Sequence, residues 1–266
     1  MRDAVVKKIQ DHVSRENFLI GAASAEALNA SAPEGFRPKD LMPSAKAVLV
    51  LARPLPLTVF QVPKENNAFY QRSSYTHYLI MDQLANDLCL LLQQAGYRSL
   101  PVPSYSPLRF FEGEPRGMIS LKHAAAYAGL GTLGKNTLLI HPEHGNSMRL
   151  GALMTEMEWP QYAAVAEKSP CPENCRLCEK ACPVGALRDG KIDKMKCMGT
   201  SVGHILLPPG FMLPLMKRVV AASRRMAKFM ELTSLNFFET YGIQCCACLK
   251  ACVHFPANKS KKVGSA

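Results

Sequence analysis

The sequence predicts a mixed fold, α/β or α+β, followed by a smaller region organised by cysteine. Three observations lead there. Helical and strand-like hydrophobic patterns alternate from residue 1 to about residue 159, which requires a sheet covered on both faces. Nine of the ten cysteines lie between Cys171 and Cys252, while Cys89 stands alone. With 266 residues, 48% of them hydrophobic, the chain is long enough to bury a large core or a medium and a small one.

In "MRDAVVKKIQDHV", Val5, Ile9 and Val13 recur every fourth residue, so the first element is an amphipathic helix. "FLIGAAS" (18–24) and "KAVLVLARPLPL" (46–57) read as buried strands, the second ended by its prolines. Residues 76–96 form a helix with Ile80, Leu84, Leu88, Leu91 and Ala95 on one face, stopped by Gly96 as a left-handed cap. A short strand is expected over 97–103. "LKHAAAYAG" (121–129) is an alanine-rich helix, and the glycine-bearing turn "GLGTLGKN" (129–136) leads into a strand, "TLLIH". After the turn "HPEHGNS" comes a last strand, "MRLGALMTEMEW" (148–159). No repeat of 20 to 50 residues is present. Composition changes after Pro160, which places a domain boundary between 1–162 and 163–266. Within the second domain, 203–240 reads as a packed helical insertion with a solvated basic face, or as a lid or docking surface.

The formal charge of +11 suits an anionic partner, nucleic acid or an acidic small molecule, but it serves solubility equally well. No basic run exceeds "KSKK", and thiolates holding metal would lower the balance. The longest apolar stretch, 205–216, is too short to span a bilayer and is broken by prolines and glycine. The first thirty residues include Asp3, Asp11 and Glu16, with no continuous apolar core, so no export signal is read and a cytoplasmic location is expected. There the cysteines stay reduced and form no disulfide framework.

The first cysteine group is Cys171, Cys175, Cys178 and Cys182, followed by Pro183. The second is Cys245, Cys248 and Cys252, and Cys197 lies between the groups. Two residues between ligands form a tight turn with both sulfurs on one side, as a cubane iron–sulfur cluster needs. A three-residue gap then carries the next cysteine to the neighbouring cluster. Swapped ligation assigns Cys171, Cys175, Cys178 and Cys252 to one [4Fe–4S] cluster and Cys182, Cys197, Cys245 and Cys248 to the other. This is a ferredoxin-like double-cluster arrangement. Cys89 is left as a small core residue, and Cys246 as a neighbour pointing away from the clusters. Structural zinc usually joins two cysteine pairs a dozen or more residues apart, and four cysteines in twelve positions suit it poorly. Two features depart from the usual pattern: the first gap has three residues, and Val253 stands where a second proline is common.

The segments "RPKDLMPSAKAVLVLARPLP", "LKHAAAYAGLGTLGKNTLLIHPEHGNSMRLGALMTEMEW", the first cysteine group, Cys197 and "YGIQCCACLKAC" occur in an order that resembles the epoxyqueuosine reductases and, more distantly, the corrinoid-using reductive dehalogenases. The resemblance implies a nitroreductase-like N-terminal domain, 1–162, that holds cobalamin. A ferredoxin-like domain with two [4Fe–4S] clusters follows it. It also implies an external low-potential donor of flavodoxin or ferredoxin type and a reducible substrate. In that frame Gly129, Gly131, Gly134, Lys135 and Asn136 are expected at the cofactor, the glycines for close approach and the last two as donors. Family members are expected to carry a Gly-Arg-Asp-Tyr-His stretch whose aspartate donates a proton. Here the stretch is "RSSYTHY", which puts Tyr75 in that place as proton donor, with Tyr78 close by. Many members also have a C-terminal helical-repeat region that helps hold tRNA. This chain runs only a dozen residues past its last cysteine, so a small-molecule substrate is expected ahead of tRNA. Lys217, Arg218, Arg224, Arg225 and Lys228 are the residues available to RNA phosphates. The main rival is an electron-transfer protein that docks a redox partner without catalysis of its own. His123, His141 and His144 are expected in capping or surface roles.

Overall fold

The computed structural model describes residues 2–62, 67–165, 169–201, 210–241 and 245–258, without the side chains of 210 and 233–241. Helix α1 (Arg2–Arg15) buries Val5, Ile9 and Val13, as their spacing requires. Strand β1 (Leu19–Ser24), α2 (Ala25–Ser31) and α3 (Pro38–Leu41) lead to β2 (Ala47–Pro54). The long α4 (Ala68–Gln94) precedes β3 (Ser99–Val102), β4 (Arg109–Phe111) and β5 (Glu114–Arg116). Then come α5 (Leu121–Tyr127), β6 (Thr132–Leu133), β7 (Leu139–Ile140) and β8 (Met148–Thr155). The cysteine-bearing part holds α6 (Leu177–Ala181), β9 (Leu187–Arg188), β10 (Lys191–Ile192), α7 (Lys194–Ser201), α8 (Leu213–Ala222), α9 (Arg224–Tyr241) and α10 (Ala247–Lys250).

The main sheet has the order β1-β2-β8-β3, and every pairing in it is antiparallel. The mixed fold is therefore α+β. Strand β2 is central, with Leu49 opposite Ala22 on one side and Leu153 on the other. Its alternate residues serve opposite cores. Leu49 and Leu51 pack with Ile9 of α1 and Leu88 of α4. Val48, Val50 and Ala52 pack with Ala124 and Ala125 of α5. Both faces are covered, so the strand reads as one apolar run.

Two elements differ from the sequence expectation. Helix α4 starts at Ala68, not at residue 76, because its polar first turns are buried against β8: Tyr70 and Ser74 both receive hydrogen bonds from Arg149. The "TLLIH" segment does not join the main sheet. It folds back on the glycine turn as the two-residue hairpin β6–β7. A Cβ on Gly131 would collide with the Ile140 carbonyl there, so the hairpin closes only around glycine. The expected insertion holds α8 and α9, while residues 202–209 lie outside the described residues. No helix among the described residues is long and apolar enough to cross a membrane.

The cysteine segments pack onto the sheet's end through a third apolar cluster. Leu249, Cys252 and Phe255 meet Leu55, Phe60, Tyr70 and Ile140 there. Phe60 and Phe255 stand edge to face at 5.2 Å, and the Asn146 amide donates to the Leu249 carbonyl at 3.1 Å. Replacing Leu49, which is fully buried at the sheet centre, with alanine is expected to lower stability by about 2–5 kcal/mol in a urea titration followed by circular dichroism.

Candidate redox centre and cavity

Two short helices carry the cysteines, and they are built alike. Cys178 lies in α6 and Cys248 in α10. The residue capping each N-terminus follows a cysteine: Arg176 after Cys175 at φ −131°, ψ 22°, and Cys246 after Cys245 at φ −126°, ψ 18°. Cys182 and Cys252 follow the two helices. The same spacing is thus realised twice in the same backbone shape.

The thiols sort into two neighbourhoods. Burial pushes the Cys252 thiol up, and Cys171, Cys178 and Cys175 beside it push it further. Burial also raises Cys197, with Cys245 and Cys182 adding to the effect. Cys248 is pushed up to about 12 by burial first, then by Cys197, Cys245 and Cys182, and last by Cys178. Each neighbourhood therefore takes one sulfur from the other cysteine segment. All ten cysteines are free thiols. Among the described residues, no three Cys, His, Asp or Glu side chains are grouped to hold a single metal ion. A four-iron cubane is far wider than one ion and spreads its thiolates accordingly. Backbone N–H groups also point at sulfur: Lys135 to Cys171 at 3.3 Å and Ala186 to Cys182 at 3.2 Å. Cys246 turns instead to the apolar cluster around Tyr70.

A cavity of about 710 Å³ opens between the α2 and α5 side of the sheet and the cysteine segments. Cys182, Cys197, Cys245 and Cys248 form part of its wall, whereas Cys171, Cys175, Cys178 and Cys252 do not line it. Leu28, Ala124, Leu139, Met148 and Leu150 give it a largely apolar lining. Buried polar atoms without a hydrogen-bond partner also belong to lining residues: Ser104 Oγ, Asn136 Nδ2 and Asn146 Oδ1.

Tyr75 lies outside this lining. It is half-buried on α4 with Arg72 over its ring at 5.7 Å, and the inward positions one helical turn apart are Tyr70, Ser74 and Tyr78. Four phenols reach the cavity among the described residues: Tyr127 from α5, and a group of Tyr70, Tyr78 and Tyr105, the last two stacked at 4.7 Å. Arg149 binds this group together. Its guanidinium donates to Tyr70 Oη at 2.6 Å and Ser74 Oγ at 2.8 Å, and it sits over the Tyr78 ring at 5.7 Å. Burial pushes the Tyr70 and Tyr105 hydroxyls up, so both keep their protons at neutral pH. Arg149 was legible as the one charge inside an apolar strand, "MRLGALMT".

Of the glycine turn, only Asn136 lines the cavity. Gly129, Gly131 and Gly134 face protein instead: a Cβ on Gly129 would meet Ala163, and one on Gly134 would meet Ile140. Lys135 also turns away from the cavity. Its ammonium donates to the carbonyls of Pro172 at 3.1 Å, of Cys175 at 3.4 Å, and of Glu173. Nothing else among the described contacts clamps the loop between Cys171 and Cys175 so fully. The histidines serve local roles. His141 Nδ1 accepts the amides of Glu143 and His144, both at 3.2 Å, and His123 pairs with Ser120 at 2.6 Å on the cavity wall.

The picture that results is a covered antiparallel sheet, a cavity on one face, four thiols in its wall, and four more outside its lining. This is the fold shared by epoxyqueuosine reductases and reductive dehalogenases. A catabolic reductive dehalogenase solved with 3-bromo-4-hydroxybenzoic acid superposes with TM-score 0.53 at 15% identity, over 90% of this chain and 35% of that one. The nearer likeness is to the epoxyqueuosine reductases. The enzyme of that name from Bacillus cereus is 25% identical over 169 residues, covering 60% of this chain and 41% of that protein. An epoxyqueuosine reductase solved with an epoxyqueuosine-modified tRNA-Tyr stem loop superposes with TM-score 0.61 at 19% identity, over 98% of this chain and 67% of that one. The chain thus spans well under half the length of the Bacillus relative. No family model matches it.

Two outcomes follow from these contacts. Lys135→Met leaves three carbonyls of the Cys171–Cys175 loop without their ammonium, so amide hydrogen exchange across 171–178 should quicken by about tenfold or more. The second concerns Lys122 in the cavity wall, which burial and then the Lys194 charge push down to about 8 from 10.5. Between those values the unfolded chain holds a proton that the folded chain has released, so stability rises as the pH climbs from about 8 to about 10.5. Lys122→Met should remove that slope and raise stability at pH 7, as denaturant titrations across this range would record.

Proposed function

We propose that this chain is an iron–sulfur reductase of the epoxyqueuosine reductase type. The observation that carries this is the position of Cys182, Cys197, Cys245 and Cys248 in the wall of a deep, largely apolar cavity. A protein that only docks a redox partner has no use for such a cavity. Cys171, Cys175, Cys178 and Cys252 would hold one [4Fe–4S] cluster, and Cys182, Cys197, Cys245 and Cys248 the other. The donor set fits: four thiols in each neighbourhood, with backbone N–H groups aimed at sulfur in both. Bound clusters supply one-electron transfer at low potential. An external donor of flavodoxin or ferredoxin type would meet the set that lies behind the cavity wall.

The cavity also fits a corrinoid, a broad and mostly apolar ring edged with amides. Its lining is apolar, and the unpartnered Asn136 Nδ2, Asn146 Oδ1 and Ser104 Oγ match peripheral amides. Bound cobalamin would supply a strongly reducing cobalt centre. The chain's own part is to exclude water, orient the substrate and deliver a proton. Tyr70 is placed to give that proton, because the Arg149 charge beside its hydroxyl stabilises the phenolate left behind. Tyr75 lacks that position.

The substrate class follows most directly from the relatives. They are named for reduction of epoxyqueuosine, and one neighbour was solved with a modified tRNA stem loop. A modified base carried on tRNA is therefore the first substrate to test. The second reading, a free small molecule, is favoured by one feature: the proton donor facing the cavity is a phenol beside a guanidinium, Tyr70 with Arg149, while the stretch 72–78 carries no aspartate.

Anaerobically purified protein should contain about eight iron atoms per chain, and added cobalamin should bind with a changed visible spectrum. Cys252→Ser should cost the set around Cys171 while leaving a cluster signal from the other four thiols. The protein should reduce epoxyqueuosine in a tRNA stem loop. Iron at background level, or no uptake of cobalamin, would overturn the reductase assignment. Turnover of free small molecules alone would select the second reading.

A further inference from the structure

The cavity has an electrostatic bias that reduction of a base or a carbon–heteroatom bond does not itself demand. Its described lining holds Arg116, Lys122, Arg149 and Lys194, and no aspartate or glutamate. Arg149 is engaged with Tyr70 and Ser74. The other three form a separate group on β5, α5 and α7. Lys122 and Lys194 are close enough for each charge to act on its neighbourhood: Lys194 lowers Lys122, and Arg116 lowers Lys194. Both lysines also depress His123 beside them.

The only acid described against this group is Glu114, and it is already committed. Glu114 pairs with Lys217 at 2.6 Å and reaches Lys194 at 3.8 Å. Lys122 has no hydrogen bond or ion pair among the described contacts. Arg116 lies against the Phe36 and Phe111 rings, at 5.3 and 5.0 Å from their centres, and its buried Nε has no hydrogen-bond partner. Holding three half-buried cations together against a single carboxylate that is shared with Lys217 is costly, and the cost falls when an anion enters. The planar guanidinium of Arg116, held against two rings, suits recognition of a flat or tetrahedral oxyanion.

We propose that Lys122, Lys194 and Arg116 form an oxyanion site within the cavity, which takes a phosphate or carboxylate group carried by the substrate. The assignment rests on the cavity being the site of reduction, and it narrows the substrate to an anionic one. The anion anchors the ligand from the cationic side while the Tyr70–Arg149 pair and the thiol wall face its reducible part.

The test uses the full chain, purified anaerobically with its clusters, and needs no turnover. Inorganic phosphate and citrate are titrated by calorimetry at low salt. Saturable binding is expected, weakening as salt rises. Lys122→Gln and Lys194→Gln should each weaken it by about tenfold or more. Lys122→Arg, which keeps the charge, should retain it, and Lys8→Gln on the far face of α1 should leave it unchanged. If Lys122→Gln fails to fold, Lys194→Gln and the charge-keeping variant carry the comparison. No saturable binding of either anion by the unaltered protein, or equal affinity in both glutamine variants, overturns the site. A third arm compares cobalamin with cobinamide, which lacks the nucleotide-loop phosphate. If Lys122→Gln abolishes a preference for cobalamin and leaves free phosphate binding untouched, the anion belongs to the corrinoid and the substrate assignment falls. Phosphate binding intact in a protein that takes up no cobalamin would sink the corrinoid and leave the oxyanion site standing.

Discussion

The packing of α6 against α10 is the constraint on which the rest of the site depends. Each helix lies between cysteines with the same spacing, and each delivers its last cysteine to the other's neighbourhood. Neither segment completes a set of four alone. The two must therefore fold together, although more than sixty residues separate them in the chain. Such non-local closure carries an entropic cost, and the sheet domain helps to meet it. Phe255 and Leu249 sit in an apolar cluster with Phe60 and Tyr70, Asn146 holds the Leu249 carbonyl, and Lys135 gathers the carbonyls of the first loop.

This arrangement gives the cavity its character. One wall is protein core, rigid because both faces of β8 are packed. The opposite wall is sulfur. Only one of the two thiol neighbourhoods touches the cavity. The low polarity between the walls strengthens whatever charge is present. Arg149 is the clearest case: a buried cation that stabilises phenol hydroxyls and holds the start of α4 against β8. The basic group around Lys122 works in the same medium, and its mutual repulsion is a standing bias toward an anion.

The glycine turn shows how an apparent ligand motif serves packing. Its glycines permit contact with Ile140 and Ala163, its lysine braces the cysteine loop, and only Asn136 turns inward. The turn links sheet to thiols. Lys135 of the turn holds the Cys171–Cys175 loop, and Asn136 faces the cavity.

The sequence by itself determined the elements and the cysteine grammar. Val5, Ile9 and Val13 announced α1, the unbroken apolar run of 47–52 announced a strand covered on both faces, and the spacing of seven cysteines with Cys197 announced two sets of four. These signals are local, because side-chain period and ligand spacing are set within a few bonds. Tertiary structure alone decided what met at the cavity. Tyr70 instead of Tyr75 reaches it because α4 begins two turns earlier than its apolar pattern, held by Arg149 from a strand almost eighty residues on. Lys122, Lys194 and Arg116 come from three elements and share no motif. Hydrophobic period reports whether a residue is buried and is silent about its neighbours, so the chemistry that depends on neighbours appears only once the chain has folded.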